Sequence, residues 1–77
     1  MNYIVNETQT TNGTTSVVTP VVKGNLPDAQ EKFFDVCKYA CKSAVDTHVV
    51  YVVTEDGYVM PDLTKVFVHN VPEGGGE

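Results

Sequence analysis

Apolar positions along the chain fall into five blocks set apart by turn signals. Residues 2–9 alternate as a first strand, with Tyr3 and Val5 on one face and Ile4 on the other. Asn12-Gly13 follows, and Asn-Gly between β-prone runs predicts a type I′ hairpin turn, which needs positive φ at both central residues. Residues 16–22 are the returning strand. Strict alternation puts Val17, Thr19 and Val21 on one face, and Val18, Pro20 and Val22 on the other. Pro20 has no N–H to give to a ladder, so this strand belongs at a sheet edge or breaks there. From Leu26 or Pro27 to about Ala44 the spacing changes to that of a helix. Leu26, Ala29 (or Gln30), Phe33, Cys37, Ala40, Cys41 and Ala44 form its apolar stripe. Asn25 is placed to cap it, and its acids lie early and its lysines late, as the helix dipole favours.

The run Thr47–Thr54 is β-branched or aromatic almost throughout and reads as the third strand. Both of its alternating sets are apolar: Val49, Tyr51 and Val53, and Val50 and Val52 beside His48 and Thr54. One helix covers one face of a sheet, so a sheet of such strands leaves a second apolar face to be covered. Glu55-Asp56-Gly57 predicts a turn with positive φ at Gly57. Residues 58–60 resume an extended path and Pro61-Asp62 interrupts it as a bulge or bend. The last strand is clearest at residues 65–69. Residues 1–71 thus read as one ββαββ domain and residues 72–77 as a flexible acidic, Gly-rich tail.

The fold class is α+β, a four-stranded sheet with one helix packed on one face. Two strand orders fit: 2-1-4-3, with the terminal strands parallel at the centre, and 2-1-3-4, fully antiparallel. The first is the order of the β-grasp proteins. In outline the chain resembles the small immunoglobulin-binding domains of protein G. The likeness rests on Met1-x-Tyr3 at the start, Gln30-Glu31-Lys32-Phe33-Phe34 and Tyr39-Ala40 in the helix, and Thr64-Lys65-Val66-Phe67-Val68 at the close. It implies the 2-1-4-3 order, with the third strand at an edge. It implies no antibody binding, because no binding residue is matched. Size and composition also resemble those of short phage and mobile-element proteins.

At 77 residues the chain is small enough to be marginal without metals, disulfides or self-association. Ten acids face five lysines, there is no arginine, and the net charge is −5. This argues against nucleic-acid binding, which uses a basic, arginine-bearing surface. The absence of a long apolar run and of a basic leader predicts a soluble, cytoplasmic protein without a membrane partner. Asn6-Glu7-Thr8 and Asn12-Gly13-Thr14 match the glycosylation pattern but read as strand and turn residues.

Cys37 and Cys41 lie four apart on the helix and read as buried thiols rather than a disulfide framework. With His48 and His69 they are the residue types of a zinc site, but not its spacing. Asp46, His48 and a cysteine can be drawn as a nucleophile and base, but the cysteines fall on the buried stripe. The expectation is therefore no enzyme, no metal and no cofactor. It is a protein–protein interaction module, self-associating as a homodimer through an apolar sheet face or edge, or binding another protein. The candidate surface is Ile4, Val18, Val50, Val52 and Phe67; the complementary set is Tyr3, Val17, Tyr51, Val53 and Val68. The second expectation is a phage-type inhibitor or decoy that docks its acidic surface on a basic host protein.

Overall fold

The computed structural model describes residues 1–69; the expected tail, residues 72–77, lies outside them. Four strands and one helix follow in the order β1 (Tyr3–Thr11), β2 (Thr14–Lys23), α1 (Leu26–Ala40), β3 (Thr47–Thr54) and β4 (Val59–Val68). The strands form one sheet, β2-β1-β3-β4, in which every neighbouring pair is antiparallel. This is the second of the two orders, 2-1-3-4. The 2-1-4-3 order, and with it the edge position for Thr47–Thr54, does not form. The reason lies in the prolines. Pro20 is in β2 and Pro61 in β4, and these two are the edge strands. An order with β4 at the centre would place a residue without an N–H inside the ladder.

Local chemistry fixes the ends of the elements. Asn12 and Gly13 take φ of 54° and 80°, the two positive values that a type I′ turn needs. Asp46 accepts the Asn12 backbone N–H through Oδ2 at 3.0 Å, tying this turn to the start of β3. Asn25 is the N-cap: its Oδ1 accepts the Asp28 N–H at 2.9 Å. Gly57 has φ 89° in the β3–β4 turn, and its N–H donates to the Thr54 carbonyl at 2.8 Å. The helix stops at Ala40, with Cys41 as its C-cap. It therefore does not reach Ala44, and Cys41 and Ala44 leave the buried stripe for solvent.

Two bulges set which side chains face where. Between Val5 and Glu7 on β1, β2 advances from Val21 to Val18, three residues against two. Val18 and Val21 therefore share the helix side, and strict alternation through Thr19-Pro20 fails. On β4, Val59 to Thr64 lies opposite Val53 to Tyr51. That excess of residues is the bulge expected at Pro61-Asp62.

The helix lies across one face. Ala29, Phe33, Cys37 and Ala40 are buried at 3–4 spacing. Phe33, Val50 and Val52 are the largest fully buried side chains, closed around by Val5, Ala29, Cys37 and Leu63. Burying an apolar side chain of this size contributes about 1.5–3 kcal/mol. Tyr3, Val21, Leu26, Val36, Met60 and Phe67 pack around the margin. No helix of the described residues is long and apolar enough to cross a membrane.

Candidate interaction surface

Among the described residues, none forms a layer over the face of the sheet turned away from α1. Residues directly opposite one another in an antiparallel ladder point to the same side. The registers therefore give this face row by row from β2 to β4. Val22, Ile4, Val53 and Val59 form the first row. Asn6, Tyr51 and Thr64 form the second, at the level of the β2 bulge. Val17, Thr8, Val49 and Val66 form the third, and Thr15, Thr10, Thr47 and Val68 the fourth. In the fourth row the Thr10 and Thr15 hydroxyls are hydrogen-bonded at 2.9 Å.

Two properties set this face apart. Val17, Val22, Val59, Val66 and Val68 are each between 49% and 70% exposed, so their burial in the chain alone is slight. Ile4, Val49, Tyr51 and Val53 are half-buried by their strand neighbours only. The four rows of this face also lack charged residues, with Glu55 just past the first row at the end of β3, its N–H bonded to the Asn2 carbonyl at 3.0 Å, and Asp62 in the β4 bulge. None of the paired positions is Asp, Glu or Lys, whereas the helix side carries Glu7, Lys23 and Lys65 and the helix itself adds acids and lysines. In a chain of net charge −5, an uncharged apolar sheet face is a conspicuous segregation.

The structure separates the expected surface residues. Ile4 is on the open face. Val50 and Val52 are fully buried beneath α1, and Phe67 packs at the margin of the same core. Val18 is on the helix side and borders a cleft of about 230 Å³ with Val36, Tyr39 and Lys32. That volume falls short of the roughly 300 Å³ at which ligand pockets begin. Of the complementary set, Val17, Tyr51, Val53 and Val68 share the open face, while Tyr3 packs against the core. Val22, Val49, Val59 and Val66 belong to it as well. Their signal was present as the second apolar parity of each strand.

A polar cluster sits on the helix side. Glu7 and His48 are paired, His48 Nδ1 to Glu7 Oε2 at 2.6 Å, and Gln9 Nε2 donates to the same oxygen at 3.3 Å. An ionised carboxylate only accepts, so Nδ1 carries the proton, and in the neutral ring Nε2 is a bare nitrogen. That Nε2 is buried without a partner among the described residues. The His48 ring meets His69 edge to face at 5.8 Å. His69 Nε2 donates to the Ala40 carbonyl at 2.6 Å, alongside the Ser43 N–H at 3.3 Å, at the helix C-terminus.

This cluster does not assemble the chemistry of a nucleophile or a metal centre. Among the described residues no group of three or more His, Cys, Asp and Glu is placed to hold a metal ion. The Cys37 thiol is pushed up by burial first, then by the charge of Cys41; Lys65 opposes this and Glu7 adds to it. A raised value keeps Cys37 a thiol, which is a poor nucleophile and metal ligand. One consequence is directly measurable. A maleimide is expected to add one equivalent to the native chain, at exposed Cys41, and a second only in denaturant, as intact mass reads out. Two rapid additions under native conditions would contradict the burial of Cys37.

Comparison with known proteins found no matching family model, no similar curated protein and no similar solved structure.

Proposed function

We propose that this chain is a small, non-enzymatic interaction module that self-associates through the open face of its sheet. The observation that carries the reading is the uncharged, valine-rich face opposite α1. A surface that meets its own copy must carry either no charge or both signs in register. Here the four paired rows carry none, so two chains of like net charge can lay these rows together without bringing like charges into contact.

Edge pairing is the weaker route. Each edge strand carries a proline and a bulge, which shorten the straight ladder a second chain could extend. The acidic-decoy reading has less support. Asp28, Glu31 and Asp35 share the helix surface with Lys23, Lys32 and Lys38, so no patch there is of one sign. Two free cysteines fit a reducing compartment, and we place the protein in the cytoplasm.

The test is mass in solution, with reductant present to exclude disulfides through Cys41. Light scattering is expected to give a concentration-dependent dimer that persists in high salt, since no charge pairs are buried. Val66→Glu, at an exposed site on the open face, should weaken the dimer about tenfold or more, because each 1.4 kcal/mol of buried-charge cost is a factor of ten. Phe34→Glu, on the outer side of α1, should leave it unchanged. A parent chain monomeric at millimolar concentration, or a V66E dimer as tight as the parent, would refute the reading. Capture of a basic protein that weakens steeply with salt would favour the decoy instead.

A further inference from the structure

The pattern on the open face also determines how two copies meet. Resting on the self-association proposed above, we infer that the dimer's twofold axis runs along the strands, between β1 and β3, so that β1 lies over the partner's β3 and β2 over the partner's β4. A twofold that lays a face on its own copy lies in the plane between them, and two directions are compatible with aligned sheets: along the strands or across them. The polar second row decides between them. The Asn6 Nδ2 already donates to the Ile4 carbonyl at 3.2 Å, but the Asn6 Oδ1 and the Tyr51 hydroxyl would be stranded by burial against valine, at about 1–3 kcal/mol each. They must therefore face polar groups.

An axis along the strands through the middle of the sheet keeps every row on itself. Tyr51 then lies over the partner's Asn6 and Asn6 over the partner's Tyr51, a phenol against an amide twice over. The first row meets as apolar on apolar, and in the third Val17 lies over the partner's Val66 and Thr8 over the partner's Val49. All four strands and all four rows stay in overlap. An axis across the strands fails one way or the other. Centred on the face, it sets Tyr51 against the partner's Val49 and Thr64 against the partner's Val66, while Asn6 meets the partner's Thr8. Moved onto the polar row, it leaves the fourth row overhanging.

Full overlap matters because the face is small. Four strands by four rows cover roughly 500 Å² per chain. The summed area thus only just reaches the ~1,000 Å² at which specific interfaces begin. The arrangement that wastes none of it is favoured, and the dimer is a weak, reversible one.

The experiment uses cysteine pairs in a Cys41→Ser background and a bismaleimide whose spacer matches the ~10 Å between packed sheets. Val17 and Val66 are exposed edge-strand positions, so V17C and V66C leave the core untouched. Each is separated from its own counterpart by three strand spacings, roughly 14 Å, as well as by the gap between the sheets. The expected result is cross-linking when V17C and V66C are mixed, and none for either alone. A second readout needs no substitution. In a dimer mixed from labelled and unlabelled chains, isotope-filtered NMR should connect Val53 methyls to Ile4 methyls of the other copy. Cross-linking of V17C with V22C, or Val53 contacts to Val49 of the other copy, would assign the crossed axis and overturn this inference while leaving the dimer standing. A dimer without any of these links overturns the inferred axis, and the surface falls with it if V66E leaves that dimer as tight as the parent. A monomer by light scattering refutes the self-association itself.

Discussion

Truncating Phe33 to alanine costs about 3–5 kcal/mol and leaves much of the chain unfolded at physiological temperature. The side chain is the one large, fully buried residue of α1, in one core cluster with Val50 and Val52, while Leu26 and Val36 pack only at its margin. Its neighbours on the helix stripe, Ala29, Cys37 and Ala40, are small, so none of them can refill the space. A domain of this length has roughly 4–12 kcal/mol to lose in total, at the usual 0.05–0.15 kcal/mol per residue. Phe34 supplies the control. It meets Phe33 edge to face at 5.3 Å but is 60% exposed, so Phe34→Ala should cost no more than ~1 kcal/mol. Denaturant melts followed by circular dichroism measure both. Equal losses for the two variants would mean that the helix does not pack as described.

The contrast between adjacent phenylalanines was legible in the sequence, because helical periodicity assigns each residue a direction once the element is known. The same holds for the Asn12–Gly13 turn, the Asn25 cap and the turn at Gly57, where one side chain or one φ value decides the local geometry. The open face was legible only in part, since alternation divides each strand into two sets without saying which set of one strand joins which set of the next. That link is the register, a property of paired strands. Grouping Ile4 with Val50 and Val52 crosses the sheet, because Ile4 lies opposite Val53. The bulge at Thr19-Pro20 adds a second change of parity that no alternation pattern reveals. Strand order was more accessible than it looked. Two prolines in two different strands mark two edges, and the helix cannot reach β3 from an edge β2 in fewer steps than over β1. The position of Thr47–Thr54 inside the sheet follows, and with it the reason for its apolarity on both faces: one set packs under α1 and the other lines the open side.

Replacing Glu7 alone by leucine is expected to destabilise the fold more than replacing Glu7 and His48 together. The single change leaves His48, which is buried, with neither ring nitrogen partnered among the described residues, since Nε2 has no partner among them to begin with. Losing one member of a fully buried ion pair costs about 3–5 kcal/mol. The Glu7 side chain is 14% exposed, so water relieves part of this and about 2–3 kcal/mol is the expected loss. Gln9 also loses the oxygen to which it donates. The double variant, Glu7→Leu with His48→Leu, removes the stranded ring and fills the space between the sheet and α1 with apolar volume. Such replacements of buried pairs are commonly neutral or stabilising, so its stability should lie within about 1 kcal/mol of the parent chain. The two changes are then strongly non-additive, with a coupling of at least ~1 kcal/mol in a double-mutant cycle measured by denaturant unfolding at neutral pH. Additive losses would show that Glu7 and His48 act separately, and that the 2.6 Å contact contributes nothing of its own. On this expectation the pair serves the alignment of β1 and β3 more than their stability. Only the observed register sets Glu7 next to His48, two residues along β3 from its direct partner Val50 and on the same face. The same register brings Asn6 opposite Tyr51 on the other side of the sheet, so the buried pair and the open face depend on a single alignment of the two central strands.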